Sequence, residues 1–227
     1  MNDKKLGERI ALTKSFQPGL LFKKKILIQL FENGFLVEFG KEEKAILFAD
    51  VEAFSFACTS LWVNGIAQGT HYSACIWPFG CDKAKPYSFG FSLWSKPTGE
   101  TFLGIPLFLS RYNPNHDETL EVIRTRLTEV VASRLLESLD AGQTVPWVPG
   151  VNICSDGIEF NDQGQTLVSS WTETRLQHHT SDGICKLQSG LDGFPSIALQ
   201  TKAINFYPGL AVVEQFLSPC RTEFAPA

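Results

Sequence analysis

Residues 33–39 read Asn-Gly-Phe-Leu-Val-Glu-Phe, and residues 156–160 read Asp-Gly-Ile-Glu-Phe. In each stretch an Asn-Gly or Asp-Gly pair, the strongest short signal for a β-hairpin, precedes apolar residues typical of a strand. An aromatic residue follows each glycine at the same interval of 14 positions, Phe48 after Gly34 and Trp171 after Gly157. This shared spacing predicts that one hairpin-based unit occurs twice in the chain.

Strand signals extend outward from both hairpins. The clearest alternation lies at residues 87–93, where large apolar side chains alternate with Ser and Gly, as in a half-buried strand. Asn-Gly at residues 64–65 and Asp-Gly at residues 182–183 and 192–193 predict further hairpin turns. The content of aromatic residues, 12%, is also typical of strand-rich chains.

The sequence period changes at residues 116–140, a run without Gly or Pro. Apolar residues recur there at steps of three and four, which predicts one face of an amphipathic helix. These residues are Leu120, Ile123, Leu127, Val131 and Leu135. Gly142 is expected to end the helix in a left-handed conformation. A second, shorter helix is predicted at about residues 208–217, ended by Pro219.

The predicted fold class is mainly β (α+β), with two tandem pleckstrin-homology-like (PH-like) antiparallel barrels, each closed by a C-terminal helix. The first domain is placed at residues 1–142 and the second at residues 143–227. The physical reason is that a small curved sheet leaves one mouth open. An amphipathic helix across that mouth buries two apolar surfaces at once.

Several stretches of the chain resemble a bacterial family of uncharacterised proteins with tandem PH-like domains. They are residues 31–35, 48–52 and 63–70 in the first half, and residues 171–197 and 205–208 in the second. These stretches follow the order of that family: a glycine turn, an aromatic-led strand with an acidic residue, and a Val-Asn-Gly turn. The resemblance implies the tandem PH-like fold but no activity and no catalytic residues.

Composition excludes several classes of protein. With 44% hydrophobic and 19% charged residues the chain is globular, and its net charge of −4 argues against nucleic-acid binding. No apolar run is long enough for a membrane-spanning helix, and the N-terminus lacks the apolar segment of a signal peptide, so a cytoplasmic location is expected. The six cysteines contain no Cys-x-x-Cys pair, which favours reduced, mostly buried thiols over a metal site.

Two clusters of chemically active side chains stand out. Lys23, Lys24 and Lys25 form a basic run after the apolar residues 20–22, and are a candidate site for an anionic surface. The alternative is a strand end protected against edge pairing by lysines, since adjacent strand residues face opposite sides. His178 and His179 are likewise adjacent, which argues against a shared metal ion.

The favoured hypothesis is a non-enzymatic binding or scaffold protein that engages a protein partner through a sheet edge or an inter-domain groove. None of the common local catalytic motifs occurs in the sequence, so no catalytic residue, metal or cofactor is predicted. Peripheral binding to an anionic membrane through Lys23–Lys25 is the alternative. A hydrolase with a site at the domain seam, using His178 or His179, is a third hypothesis.

Overall fold

The computed structural model describes residues 5–17, 24–63, 66–82, 85–94, 101–102, 105–106, 118–162, 165–179, 184–190 and 196–221. The described elements form four antiparallel sheets and two helices, so the predicted mainly β class is confirmed. The chain divides into two compact units. The first comprises residues 1–51 and 56–126, and the second comprises residues 52–55 and 127–227.

The first unit is built around a seven-stranded sheet. Its strands are β1 (Arg9–Gln17), β2 (Lys24–Phe31), β3 (Gly34–Phe39), β4 (Glu42–Leu47), β5 (Val51–Val63), β6 (Ile66–Pro78) and β7 (Tyr87–Trp94). They are ordered β4-β3-β2-β1-β7-β6-β5, so β4 and β5 lie at the two ends of the sheet. A separate two-stranded sheet pairs β8 (Thr101–Phe102) with β9 (Ile105–Pro106).

Alternate residues of these strands form the buried face of the sheet. On β6, Tyr72, Ala74 and Ile76 are buried, as their alternation in the sequence predicts. On β5, Phe54 and Phe56 are buried, but Cys58, which alternation places on the same face, is exposed. Residues 45–63 read as one continuous element in the sequence, but the structure divides them between β4 and β5, which are separated by the 3-10 turn Phe48–Asp50. The sequence up to about Gly19 is mixed and polar, yet part of it forms β1.

The second unit has a four-stranded sheet, a three-stranded sheet and a helix. The first sheet is ordered β10 (Val145–Val148), β11 (Val151–Cys154), β12 (Gly157–Asp162) and β13 (Gln165–Ser170). The second contains β14 (Thr174–His179), β15 (Ile184–Ser189) and β16 (Ile197–Gln200). Helix α2 (Phe206–Arg221) begins two residues before the predicted start and continues past Pro219, so the prediction that Pro219 ends it was wrong. A proline in the last turn removes one hydrogen bond without ending the helix.

Aromatic side chains fix α2 against the sheets of this unit. The indole Nε1–H of Trp147 donates to the carbonyl oxygen of Phe206 at 2.9 Å, and the two rings stack with centroids 6.2 Å apart. Gly209 lies directly beneath the indole, where a Cβ atom would come within 2.0 Å of Trp147 Cδ1. Trp171 stacks on Phe216 at 4.7 Å, further along the helix. The helix therefore needs a glycine at its closest approach to the sheet.

Helix α1 (Glu118–Asp140) confirms the predicted helix over the described residues, and residues 116 and 117 lie outside them. Leu120, Ile123, Leu127 and Val131 are buried, which confirms the predicted apolar face. Gly142 has φ of +74°, and two backbone hydrogen bonds close the helix end in the Schellman arrangement. The first unit includes α1 through residue 126, and the rest of α1 belongs to the second unit.

Gly34 and Gly157 begin the second strands of two hairpins, each after a two-residue turn. Neither glycine has a positive φ, so turn conformation does not explain them. Close approach does, because a Cβ on Gly34 would lie 2.2 Å from the carbonyl oxygen of Ile46. A Cβ on Gly157 would lie 1.9 Å from that of Ser169. Both oxygens belong to the residue 12 positions further along the chain.

The aromatic residues of the repeat are also held alike. The backbone N–H of Phe48 donates to the carbonyl of Asn33 at 3.0 Å. The N–H of Trp171 donates to the carbonyl of Asp156 at 3.3 Å. The two hairpins therefore share strand pairing, a glycine contact and a closing hydrogen bond, as the repeated spacing predicts. The predicted turns at residues 64–65, 182–183 and 192–193 lie outside the described residues.

Two expectations were incomplete or wrong. The described strands form no closed barrel, so the barrel prediction stays unconfirmed. The cysteines were expected to be mostly buried, but among the five described thiols Cys185 alone is buried. Cys75 alternates with the buried residues Ala74 and Ile76 on β6, which accounts for its partial exposure. Neither described helix is long and apolar enough to cross a membrane.

Candidate functional site

The sheet of the first unit curls so that β3 and β4 face β7. Strands at neighbouring positions lie ~4.8 Å apart, so a flat sheet would hold β4 and β7 roughly 19 Å apart. In the structure Nζ of Lys44, on β4, is 3.6 Å from the ring centroid of Tyr87, on β7. The rings of Phe35, on β3, and Phe89, on β7, meet edge to face at 6.3 Å. These contacts require strong curvature.

The curled sheet encloses a groove of about 580 Å³, which we call the β4–β7 groove. One side comes from β3 and β4, and the other from the start of β7. Its lining residues are Val37, Phe39, Glu42, Glu43, Lys44, Ile46, Pro86, Tyr87, Ser88, Phe89 and Gly90. The groove is therefore apolar and aromatic within, with charged side chains from one strand at its rim.

Strand register explains the composition of the groove. Phe35, Val37 and Phe39 alternate on β3, and their partners on β4 are Ile46, Lys44 and Glu42. Side chains of paired residues share a face, so each of these β4 residues points to the same side as an apolar residue of β3. Val37 and Ile46 are buried, whereas Glu42 and Lys44 are exposed. The floor is fixed by packing and the rim is open to solvent.

Strand β4 carries two carboxylates on opposite faces of the sheet. Glu42 shares the groove face with Lys44, whereas Glu43 lies opposite Glu38 on the other face, where like charges are destabilising. Glu38 accepts a hydrogen bond of 2.6 Å from Nε2 of Gln29. Within the described residues the Glu42 side chain takes part in no ion pair or hydrogen bond. The rim thus presents the Glu42 carboxylate beside an aromatic groove.

The structure describes the predicted basic run only in part. Lys23 lies outside the described residues, and the backbones of Lys24 and Lys25 begin β2, opposite Gln17 and Phe16. The candidate site at Lys23, Lys24 and Lys25 therefore stays a prediction. Their strand does begin at the end of the sheet where β3 passes into β4, since Ile26 pairs with Phe39.

The two histidines of the hydrolase hypothesis are described only in backbone. His178 pairs with Cys185 and His179 with Ile184 in the β14–β15 ladder, so they occupy successive positions of one strand. In the parts of the chain that the structure describes, no group of three or more His, Cys, Asp and Glu side chains could hold a metal ion.

A second cavity, of about 380 Å³, lies in the second unit. It is polar and includes Glu173, Arg175 and Ser189 in its lining. The Arg175 guanidinium donates to the carbonyl oxygens of Thr172 and Thr174, and Glu173 accepts a bond of 2.6 Å from the Ser170 hydroxyl. These charged groups hold the turn between β13 and β14. We therefore regard the β4–β7 groove, with its open charged rim, as the stronger candidate site.

Comparison of the chain with protein-family models and with curated protein sequences finds no match.

Sequence reasoning assigned residues of the groove to strands but did not identify the site. The alternation at residues 87–93 assigned Tyr87 and Phe89 to one face, and the hairpin signal assigned Val37 and Phe39 to a return strand. Nothing in either pattern brings β4 next to β7, because the two strands are four positions apart in the sheet. No sequence pattern assigned a role to Glu42, and its position beside the half-buried rings of Tyr87 and Phe89 is a tertiary feature.

Proposed function

We propose that each unit is a PH-like domain, in line with the resemblance to the uncharacterised bacterial family. Support comes from the order of elements, since β1–β4 and β5–β7 are followed, after the short β8 and β9, by α1, and β10–β13 and β14–β16 are followed by α2. In the first unit the two sets of strands join through the pairing of β1 with β7. The matching contacts of Gly34 and Gly157 add support for duplication of one structural unit.

We further propose that the protein is a non-enzymatic binding module whose first unit engages a protein partner at the β4–β7 groove. The observation that carries this proposal is an apolar groove of about 580 Å³ beside a strand at the end of its sheet. Aromatic and aliphatic lining side chains with a few charged groups at the rim suit recognition of a side chain. A terminal strand offers its outer backbone groups to a peptide strand.

Peptide selection on the intact chain tests this proposal. Random peptides displayed on phage are selected against the immobilised protein, and the selected peptides are measured by fluorescence anisotropy. Lys44→Trp places a large ring over the groove from an exposed position, so groove-dependent peptides are expected to bind at least about tenfold more weakly. Lys186→Trp, at an exposed position of β15, is the matched control and should bind normally. Peptides that bind both variants equally, or no selected peptide at all, would count against the proposal.

Binding to an anionic membrane is a second candidate. It is favoured by the position of Lys24 and Lys25, whose strand starts at the same end of the sheet as Lys41 in the β3–β4 turn. Vesicles of phosphatidylcholine with and without phosphatidylserine are floated with the intact chain at low salt. Attachment that requires phosphatidylserine and falls in Lys41→Glu supports this candidate, and equal recovery from both kinds of vesicle contradicts it.

A further inference from the structure

We infer that the β4–β7 groove selects a basic–apolar segment, in which an arginine or lysine lies on the Tyr87 ring beside Glu42 and an apolar side chain enters the groove. This inference rests on the proposed binding function and specifies the chemistry of the partner. The segment would be extended and would continue the sheet from β4.

The first observation is that the aromatic part of the groove already holds a cation. Nζ of Lys44 lies 3.6 Å from the centroid of the Tyr87 ring, within the distance at which the ring face attracts an ammonium group. Lys44 is exposed and projects from a terminal strand on a flexible side chain. It can leave the ring without disturbing the core, so a cation from a partner can take its place.

The second observation is the charge of the rim. Glu42 and Lys44 are two positions apart on β4, on the same face and roughly 7 Å apart along the strand. Glu42 forms no ion pair within the described residues, so it is available to a positively charged partner on the groove face. Charge complementarity therefore favours a basic segment over an acidic one.

The third observation is the position of β4. Among the described strands β3 is its one neighbour, so a peptide strand can pair along its outer side. Alternate residues of an added strand would then face the groove, and a basic residue and an apolar residue two positions apart would reach it together. The buried side chains of Val37 and Ile46 form an apolar floor for the second of these residues.

The test uses a fluorescein-labelled heptapeptide, Ser-Arg-Thr-Phe-Thr-Arg-Ser, whose second, fourth and sixth residues share one face. The intact protein is titrated into this peptide while the fluorescence anisotropy is recorded. The same titration is made with two control peptides in which citrulline or Glu replaces both Arg residues. We expect the citrulline peptide to bind about tenfold more weakly and the Glu peptide not to bind. Glu42→Gln should lose about fivefold in affinity and much of its salt dependence. Glu129→Gln, on an exposed position of α1, is the matched control.

Removing the ammonium group of Lys44 is expected to strengthen binding, a result that misfolding of the variant cannot produce. If Lys44 competes with the ligand for the Tyr87 ring, Lys44→Met should bind the arginine peptide about threefold more tightly. Lys186→Met should leave its affinity unchanged. Equal binding of the arginine and citrulline peptides, weaker binding by Lys44→Met, or no binding of the arginine peptide up to millimolar protein would each overturn the inference.

The two proposals can fail separately. If the phage selection yields groove-dependent peptides that are acidic or neutral, the basic–apolar inference is wrong and the proposed binding function stands. If no selected peptide depends on the groove, the proposed function itself fails. Vesicle attachment without any groove-dependent peptide would favour the membrane candidate.

Discussion

Replacing Gly34 or Gly157 with alanine tests whether the two hairpins are built on the same close contact. The added Cβ would lie 2.2 Å from the Ile46 carbonyl oxygen in the first hairpin and 1.9 Å from that of Ser169 in the second. Contacts of a Cβ below 3.0 Å are essentially never found, so each carbonyl must retreat by about 1 Å. Because both oxygens belong to backbone of a paired strand, the retreat disturbs a hydrogen-bonded ladder.

The expected loss in the free energy of unfolding follows from three terms. Overpacking costs about 1–3 kcal/mol, and weakening one ladder hydrogen bond costs about 0.5–1.5 kcal/mol. Alanine also lowers the conformational entropy of the unfolded chain, which offsets about 0.4–1 kcal/mol of this loss in stability. The net expectation for each variant is a destabilisation of about 0.5–4 kcal/mol, centred near 2 kcal/mol, and the central value corresponds to a fall of about 4–8 °C in Tm.

Urea unfolding followed by far-UV circular dichroism and tryptophan fluorescence measures this loss. Gly190→Ala is the matched control, since its Cβ would meet the Glu173 carbonyl oxygen at an ordinary distance of 3.9 Å. Its stability should stay within about 0.5 kcal/mol of the wild type. If Gly34→Ala and Gly157→Ala also stay within that range, the close-contact explanation is refuted. If one variant alone is destabilised, the structural equivalence of the two hairpins is wrong.

Three further predictions concern the second unit. Burial, and then the negative charge of Glu214, raises the pKa of the Cys185 thiol from 9.0 to about 11. The folded state therefore favours the neutral thiol, a stabilisation that is present below pH 9 and lost as the pH rises from 9 to 11. The stability advantage of the wild type over Cys185→Ala in urea unfolding should fall by about 2 kcal/mol between pH 8 and 10.5, and an unchanged difference would contradict the burial. Asn205 has φ of 57°, and its side-chain oxygen accepts from the Phe54 N–H at 3.2 Å, while its own N–H donates to the Phe54 carbonyl at 2.8 Å. Asn205→Gly removes the backbone strain but loses the side-chain hydrogen bond, so it should lower the stability of the folded protein by about 1 kcal/mol. Asn205→Ala keeps the strain and loses the same bond, so it should lower the stability by about 1 kcal/mol more. Equal thermal stability of the two variants would rule out a contribution from the positive φ. Trp147→Phe keeps an aromatic ring but leaves the Phe206 carbonyl without its donor. The free energy of unfolding should fall by about 1–2 kcal/mol in the same urea assay. A variant as stable as the wild type would show that this hydrogen bond contributes little.

Local patterns predicted local structure well where one physical requirement dominates. The helix over residues 116–140 follows from the three- and four-residue spacing of its apolar side chains, and its end from the left-handed conformation of Gly142. The hairpin signals at Gly34 and Gly157 were correct in position, although the reason differs from the expected one. The glycines permit close approach of a neighbouring strand, which a pattern of turn residues does not reveal.

The sequence by itself determined the mainly β class, the two hairpins, both helices and the repeated spacing, because period and turn residues are local properties of a chain. The sequence shows that Lys23, Lys24 and Lys25 are adjacent along the chain, which does not establish that they form one site. Tertiary structure decided that Lys44 and Tyr87 meet across a curled sheet. Curvature accumulates over strands that are distant in sequence, and no local alternation of residues encodes which distant strands it brings together.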